Sequence, residues 1–164
     1  MLSTFHIKLI SEDDHNRMEA KIIKLSIESK HENVPLIGAA INKLSSISPL
    51  SERDVCSIEL CIVEAVVNSI KHAYENAPGH EVAVVLSMYE TKLVIDVIDS
   101  GKSMAPGLLE ERKACTLEFD PKDIDAIPES GRGLAIIQGF MDDVSYQVTE
   151  SGNCLTMVKE FEHK

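Results

Sequence analysis

The spacing of apolar and polar positions changes period several times along the chain, and each change marks an element. Ile23, Leu25 and Ile27 alternate with polar neighbours, which predicts a strand. From Asn33 to Ile47 the period lengthens: Leu36, Ile37, Ala40, Ile41, Leu44 and Ile47 recur at helical spacing, and Pro49 is expected to end the run. Ser51, with Asp54 three residues on, resembles a capping-box start for a second helix reaching about Ala73. Its main apolar face is Val55, Ile58, Ile62, Ala65, Val66, Ser69 and Ala73. Beyond Pro78-Gly79 the period drops to two. Val82, Val84, Leu86 and Met88 line one strand and Leu93, Ile95 and Val97 the next. Glu90-Thr91 joins them as an antiparallel hairpin, although neither is a favoured turn residue. Gly131-Arg132-Gly133 leads into an apolar helix from Leu134 to Met141. Val144–Thr149 and Cys154–Phe161 close the chain as a second hairpin around Ser151-Gly152-Asn153. Helices and antiparallel strands in this order predict an α+β fold, a two-layer α/β sandwich.

At 164 residues the chain has the size of one domain. We place that domain at residues 19–164, with 1–18 as an N-terminal extension in which Phe5, Ile7 and Leu9 alternate and could add an edge strand. The net charge of −11 argues against direct nucleic-acid binding, which needs Lys and Arg to neutralise phosphates. No apolar run approaches the ~20 residues of a membrane helix, and the opening residues lack the pattern of a signal peptide. Cys56, Cys61, Cys115 and Cys154 form no CxxC pair, so reduced thiols in a cytosol are expected rather than a zinc site. Residues 102–130 carry Pro106, Pro121, Pro128 and many acids between two glycines, the profile of a functional lid or a disordered stretch.

Three features carry candidate chemistry. Glu64, Asn68 and His72 lie four apart and form a stripe on the long helix, with Lys71 beside it. Leu60, Val63 and Val67 border that stripe, so the helix reads as apolar nearly all round. One carboxylate, one amide and one imidazole inlaid there are either a pocket lining or groups that satisfy buried backbone. Asp99 ends the strand face of Leu93, Ile95 and Val97. It is either a turn residue or a pocket acceptor, with Gly101 offering close access to the backbone. Gly131-Arg132-Gly133 is either a hinge or a set of free N–H donors for phosphate at a helix start.

Taken together, Glu64-Ala-Val-Val-Asn-Ser-Ile-Lys-His-Ala-Tyr74, Asp99-Ser-Gly101 and Ile127-Pro-Glu-Ser-Gly-Arg-Gly-Leu134 resemble the GHKL ATP-binding fold of histidine kinases, type II topoisomerases and heat-shock protein 90. The chain is most similar to the bacterial anti-sigma factor serine/threonine kinases. That resemblance implies a Bergerat-type sandwich with a mixed, mostly antiparallel sheet, and ATP and Mg²⁺ as cofactors. It implies Glu64 as general base, Asn68 as the Mg²⁺ ligand and Asp99 as acceptor for the adenine amino group. Gly101 would admit the base closely, and Gly131 and Gly133 would donate to phosphates. Lys71, His72, Lys102, Arg132 and Leu134 complete the implied cofactor-binding set, and residues 102–130 become a lid over ATP. The implied partners are a STAS-type anti-anti-sigma protein, phosphorylated on serine or threonine, and a sigma factor, with homodimerisation and partner switching. The alternatives are a non-catalytic nucleotide-dependent binding module and a detached histidine-kinase-like ATPase domain. One departure stands out: Ser103 occupies the second glycine of the family's first glycine box.

Overall fold

The structure is a computed structural model that describes residues 20–111 and 132–161. Five strands, β1 (Lys21–Glu28), β2 (Glu81–Met88), β3 (Lys92–Asp99), β4 (Asp143–Thr149) and β5 (Gly152–Glu160), form one sheet in the order β1-β2-β3-β5-β4. Where a mixed sheet is expected, all four described pairings are antiparallel. Helices α1 (Val34–Ser45), α2 (Glu52–Asn68) and α3 (Arg132–Phe140) make the second layer, α2 packing against both of the others. The expected edge strand around Phe5, Ile7 and Leu9 lies outside the described residues.

Burial follows the periods. Ile41, Ile58, Ile62, Val66 and Ile137 from the helices and Leu86, Leu93, Ile95 and Met157 from the sheet form this core, all essentially inaccessible. Each such side chain is worth about 1.5–3 kcal/mol of burial, so this interface sets the orientation of everything at its margin. Strand β3 alternates buried and half-buried residues along its length and delivers Asp99, itself buried, to the end of its inward face.

The boundaries differ from expectation in four places. Helix α1 ends at Ser45 rather than running to Pro49, which leaves Ile47 outside the helix and exposed, and Leu36 exposed on it. The Ser51 hydroxyl accepts from the Asp54 N–H at 3.1 Å, capping α2. Asp54 answers with its carboxylate on the same hydroxyl, 2.6 Å away, and not on the backbone as in a full capping box. The second hairpin turns tightly on Glu150-Ser151, with Thr149 facing Gly152, so Gly152 and Asn153 belong to β5. The long helix does not stay α-helical to Ala73: Ser69–Ala73 is a π-helical turn, in which the Tyr74 N–H reaches back five residues to the Ser69 carbonyl at 3.0 Å.

Candidate active site

Helix α2 places Glu64 and Asn68 one turn apart, both half-buried on the side toward α3. Leu60 is 38% exposed, and Val63 and Val67 are half-buried, so the surround is less enclosed than the apolar count predicts. Glu64 and Asn68 satisfy no buried backbone group, since neither side chain makes a hydrogen bond among the described residues. The reading of the pair as groups that satisfy buried backbone has no hydrogen bond among the described residues behind it.

The π turn then breaks the stripe. A wider turn advances each residue by less than the α-helical angle. His72 and Lys71 are exposed, while Ser69, Ile70 and Tyr74 turn inward. The expectation of one continuous face through His72 is corrected accordingly. Tyr74 anchors the new phase: its hydroxyl donates to the Glu81 carbonyl at 2.7 Å and accepts the Ser100 N–H at 2.8 Å.

Gly133, in the first turn of α3, closes over the pair. A Cβ there would stand 2.6 Å from Glu64 Oε2 and 3.3 Å from Asn68 Nδ2. With the Glu64 and Asn68 side chains where they lie only hydrogen fits, so glycine lets the helix start meet the carboxylate and the amide directly. Leu134 is buried behind it, and Arg132 is half-buried at the same helix start. Gly131 lies outside the described residues.

Asp99 makes the local turn and also accepts from two side chains. Oδ1 accepts the Gly101 N–H at 3.0 Å, a local turn, and also Asn153 Nδ2 at 2.8 Å; Oδ2 accepts the Ser69 hydroxyl at 2.9 Å. Three donors hold one carboxylate. A carboxylate offers about four lone-pair positions, so acceptor capacity is left for a ligand. Gly101 has a different reason for being glycine than the one expected. A Cβ would collide with the backbone carbonyl of Ala73, and the neighbouring Lys102 N–H donates to that carbonyl at 2.9 Å. The missing side chain lets β3's exit cross the π turn. Lys102 itself is exposed.

The residues missed by sequence reasoning are Ser69, Tyr74, Asn153 and the hydroxyl of Ser103, which donates to Asn153 Oδ1 at 2.8 Å. A hydroxyl within the apolar face of the expected long helix is the available signal for Ser69. The first residues of the candidate lid are bonded to the body of the fold. The Met104 N–H donates to the Tyr146 hydroxyl at 2.8 Å, Gln138 Nε2 donates to the Leu109 carbonyl at 2.8 Å, and Leu109 is buried. Residues 102–111 are thus pinned, and 112–130 lie outside the described residues.

Among the described residues no three His, Cys, Asp or Glu side chains gather to hold a metal by themselves. A cation beside Asn68 would need oxygens from its ligand, which suits Mg²⁺ better than zinc. Cys56, Cys61 and Cys154 are free thiols. Burial pushes the Cys61 thiol up to about 12, Lys159 opposing and Glu64 adding to the shift. Burial likewise raises Cys154. No described helix is long and apolar enough to cross a membrane.

Residues 27–159 match the histidine kinase-like ATPase domain model. The serine-protein kinase RsbW of Bacillus thuringiensis strain Al Hakam is 31% identical over 84% of this chain and 83% of its own. That of Listeria monocytogenes is 32% identical over 87% of this chain and 88% of its own. Among solved structures, the SiaB–SiaC complex from Pseudomonas aeruginosa shares the fold at TM-score 0.57, with 13% identity over 82% of this chain and 87% of that one. The chain belongs to the histidine kinase-like (GHKL) ATPase family, in the branch of the anti-sigma factor serine/threonine kinases.

Proposed function

We propose that the protein is a cytosolic kinase that binds Mg²⁺-ATP and phosphorylates a STAS-type anti-sigma antagonist on a serine or threonine. Phosphorylation then decides whether the kinase holds that antagonist or a sigma factor. The observation that carries the reading is the convergence of Glu64, Asn68 and the α3 start at Gly133, where a carboxylate and an amide make no side-chain hydrogen bond among the described residues. A non-catalytic nucleotide sensor would need Asn68 but has no use for a base at Glu64.

The residues fit the cofactors. Bound Mg²⁺-ATP supplies the transferable phosphoryl group and the metal that neutralises its charge. Asn68 would lend a neutral amide oxygen to the metal, and the first turn of α3 at Gly133 would donate N–H groups to phosphate oxygens. Asp99 would accept from the adenine amino group. Lys71, Lys102 and Arg132 would offset the repulsion that a net charge of −11 imposes on an anionic ligand. Glu64 would take the proton from the attacking hydroxyl, for which its oxygens must stay uncommitted. His72, exposed beyond the π turn, would act at the rim.

The test is incubation with Mg²⁺-ATP and purified STAS-type candidates, followed by mass spectrometry for phosphoserine or phosphothreonine. Phosphorylation that disappears without Mg²⁺ supports the reading. Tight Mg²⁺-ATP binding with no phosphorylation of any candidate would leave the sensor reading in its place.

A further inference from the structure

Strand β1 forms one edge of the sheet, and among the described residues it pairs with β2 alone. The Ser29 N–H donates to the His80 carbonyl at 2.8 Å, in step with the β1–β2 register. By the alternation of an antiparallel ladder, Ile23, Leu25 and Ile27 then bond β2. Ile22, Lys24 and Ser26 turn their N–H and C=O groups to the open side.

Helix α1 overhangs that side. It touches β1, while α2 touches β3 and α3 touches β4, so the helices lie in the same order as the strands beneath them. Gly38 and Asn42 face α2: a Cβ on Gly38 would lie 3.0 Å from Val63 Cγ2, and Asn42 Nδ2 donates to Glu59 Oε2 at 2.7 Å. At about 100° per residue, Leu36, Ala40 and Leu44 fall on the opposite flank, beyond β1. Ala40 and Leu44 are only partly buried, Leu36 is 58% exposed, and Ile23 is half-buried on the inward face of β1. A line of unpaired backbone groups with apolar side chains above it is a slot for one more strand that is apolar on one face.

We propose that residues 5–10 of this same chain fill the slot as an additional antiparallel strand, with Phe5, Ile7 and Leu9 on the side of Ile23, Leu25 and Ile27 and beneath the flank of α1. The period selects this occupant, since Phe5, Ile7 and Leu9 alternate with His6 and Lys8 as one covered and one open face require. Its place in the chain does so too. The 19 residues that precede the described ones join them at Ala20, where β1 itself begins, so a reversal through residues 11–20 returns the segment to β1. That connection is polar and carries Glu12-Asp13-Asp14, while the edge carries exposed Lys21 and Lys24. A short tether also holds its segment at an effective concentration on the order of millimolar, which disfavours a second copy at the same edge. The segment would thereby shield an edge open to pairing with other chains.

Amide hydrogen exchange in the full chain, read residue by residue by NMR, tests this. Wild type should protect Ile22, Lys24 and Ser26, although β2 bonds none of them. Ile7→Asp places a charge on the covered face and should speed exchange at those three amides roughly tenfold or more, the scale of losing one buried aliphatic side chain. Lys8→Asp, on the open face of the same segment, should leave them within about twofold of wild type. Leu36→Asp, at an exposed position, should act as Ile7→Asp does while the amides of β3 keep their protection, which shows the fold intact. Exchange of Ile22, Lys24 and Ser26 at unprotected rates in wild type would overturn the proposal. Equal effects of Ile7→Asp and Lys8→Asp would overturn it as well, since the segment would then have no covered face. Sedimentation in which Ile7→Asp dissociates a dimer would give the edge to a second copy instead.

Discussion

The two ends of the candidate site treat their carboxylates in opposite ways. Asp99 is buried and held by a hydroxyl, a backbone N–H and an amide. Glu64 is half-buried, faces the first turn of α3 and has no hydrogen-bond partner among the described residues. A group that recognises a fixed feature gains from being immobilised beforehand, because less ordering remains to oppose binding. A group that must take up a proton gains from having its lone pairs free. In the proposed function, the same functional group would serve recognition at one end and proton transfer at the other, distinguished by its surroundings.

The sharpest way to break that contrast is Glu64→Gln, which keeps shape and hydrogen-bonding capacity and removes the base. Phosphoryl transfer to the antagonist should fall ~10²–10⁴-fold while Mg²⁺-ATP binding and the melting temperature stay near wild type. Undiminished transfer in a quenched-flow or gel assay would take Glu64 out of the chemistry. Next comes truncation at both ends. Asp99→Ala strands three donors in a buried place and should cost about 2–4 kcal/mol in urea unfolding, whereas Glu64→Ala strands none and should stay within ~0.5 kcal/mol. Equal losses would mean that the two carboxylates are not distinguished by their bonding.

Gly133→Ala tests the meeting of α3 with the pair. Its Cβ would lie 2.6 Å from Glu64 Oε2, so the carboxylate or the helix must shift. The atom in the way is the free end of a flexible side chain, so a stability loss of no more than about 1 kcal/mol is expected, with a larger proportional loss of transfer than of ATP binding. The smallest effect concerns Cys61, beside the Glu64 end. With its thiol raised from 9.0 to about 12, the folded state keeps a proton that the unfolded chain releases. Stability from this group is complete below pH 9 and is lost as pH rises from 9 toward 12. Denaturation across that window should slope less steeply in Cys61→Ala, and iodoacetamide should label exposed Cys56 well before Cys61.

What could be read in the sequence was whatever repeats locally. Helical spacing located Glu64 and Asn68, period two located the strand that ends at Asp99, and a glycine before an apolar run located Gly133. The remainder depends on partners distant in the chain. Asn153 reaches Asp99 across 54 residues and Ser69 reaches it across 30, and neither distance leaves a periodic trace. The π turn was invisible for another reason, since Ser-Ile-Lys-His-Ala reads as ordinary helix. The pinning of 102–111 by Tyr146 and Gln138 was hidden by the loop's own composition, which pointed to a lid along its whole length.

The π turn also acts as a phase shifter between two halves of one rod. Each α-helical residue turns the axis by about 100°, so a single surplus residue lets the segment before it and the segment after it be aimed independently. Upstream, Glu64 and Asn68 look toward α3; downstream, Tyr74 plugs the gap between β2 and the exit of β3. Deleting one residue within Ser69–Ala73 would restore a regular helix with Tyr74 facing nearly the same way, whereas winding all five residues as α-helix would swing Tyr74 away from Ser100 and Glu81. At this joint, chain length matters as much as chain composition.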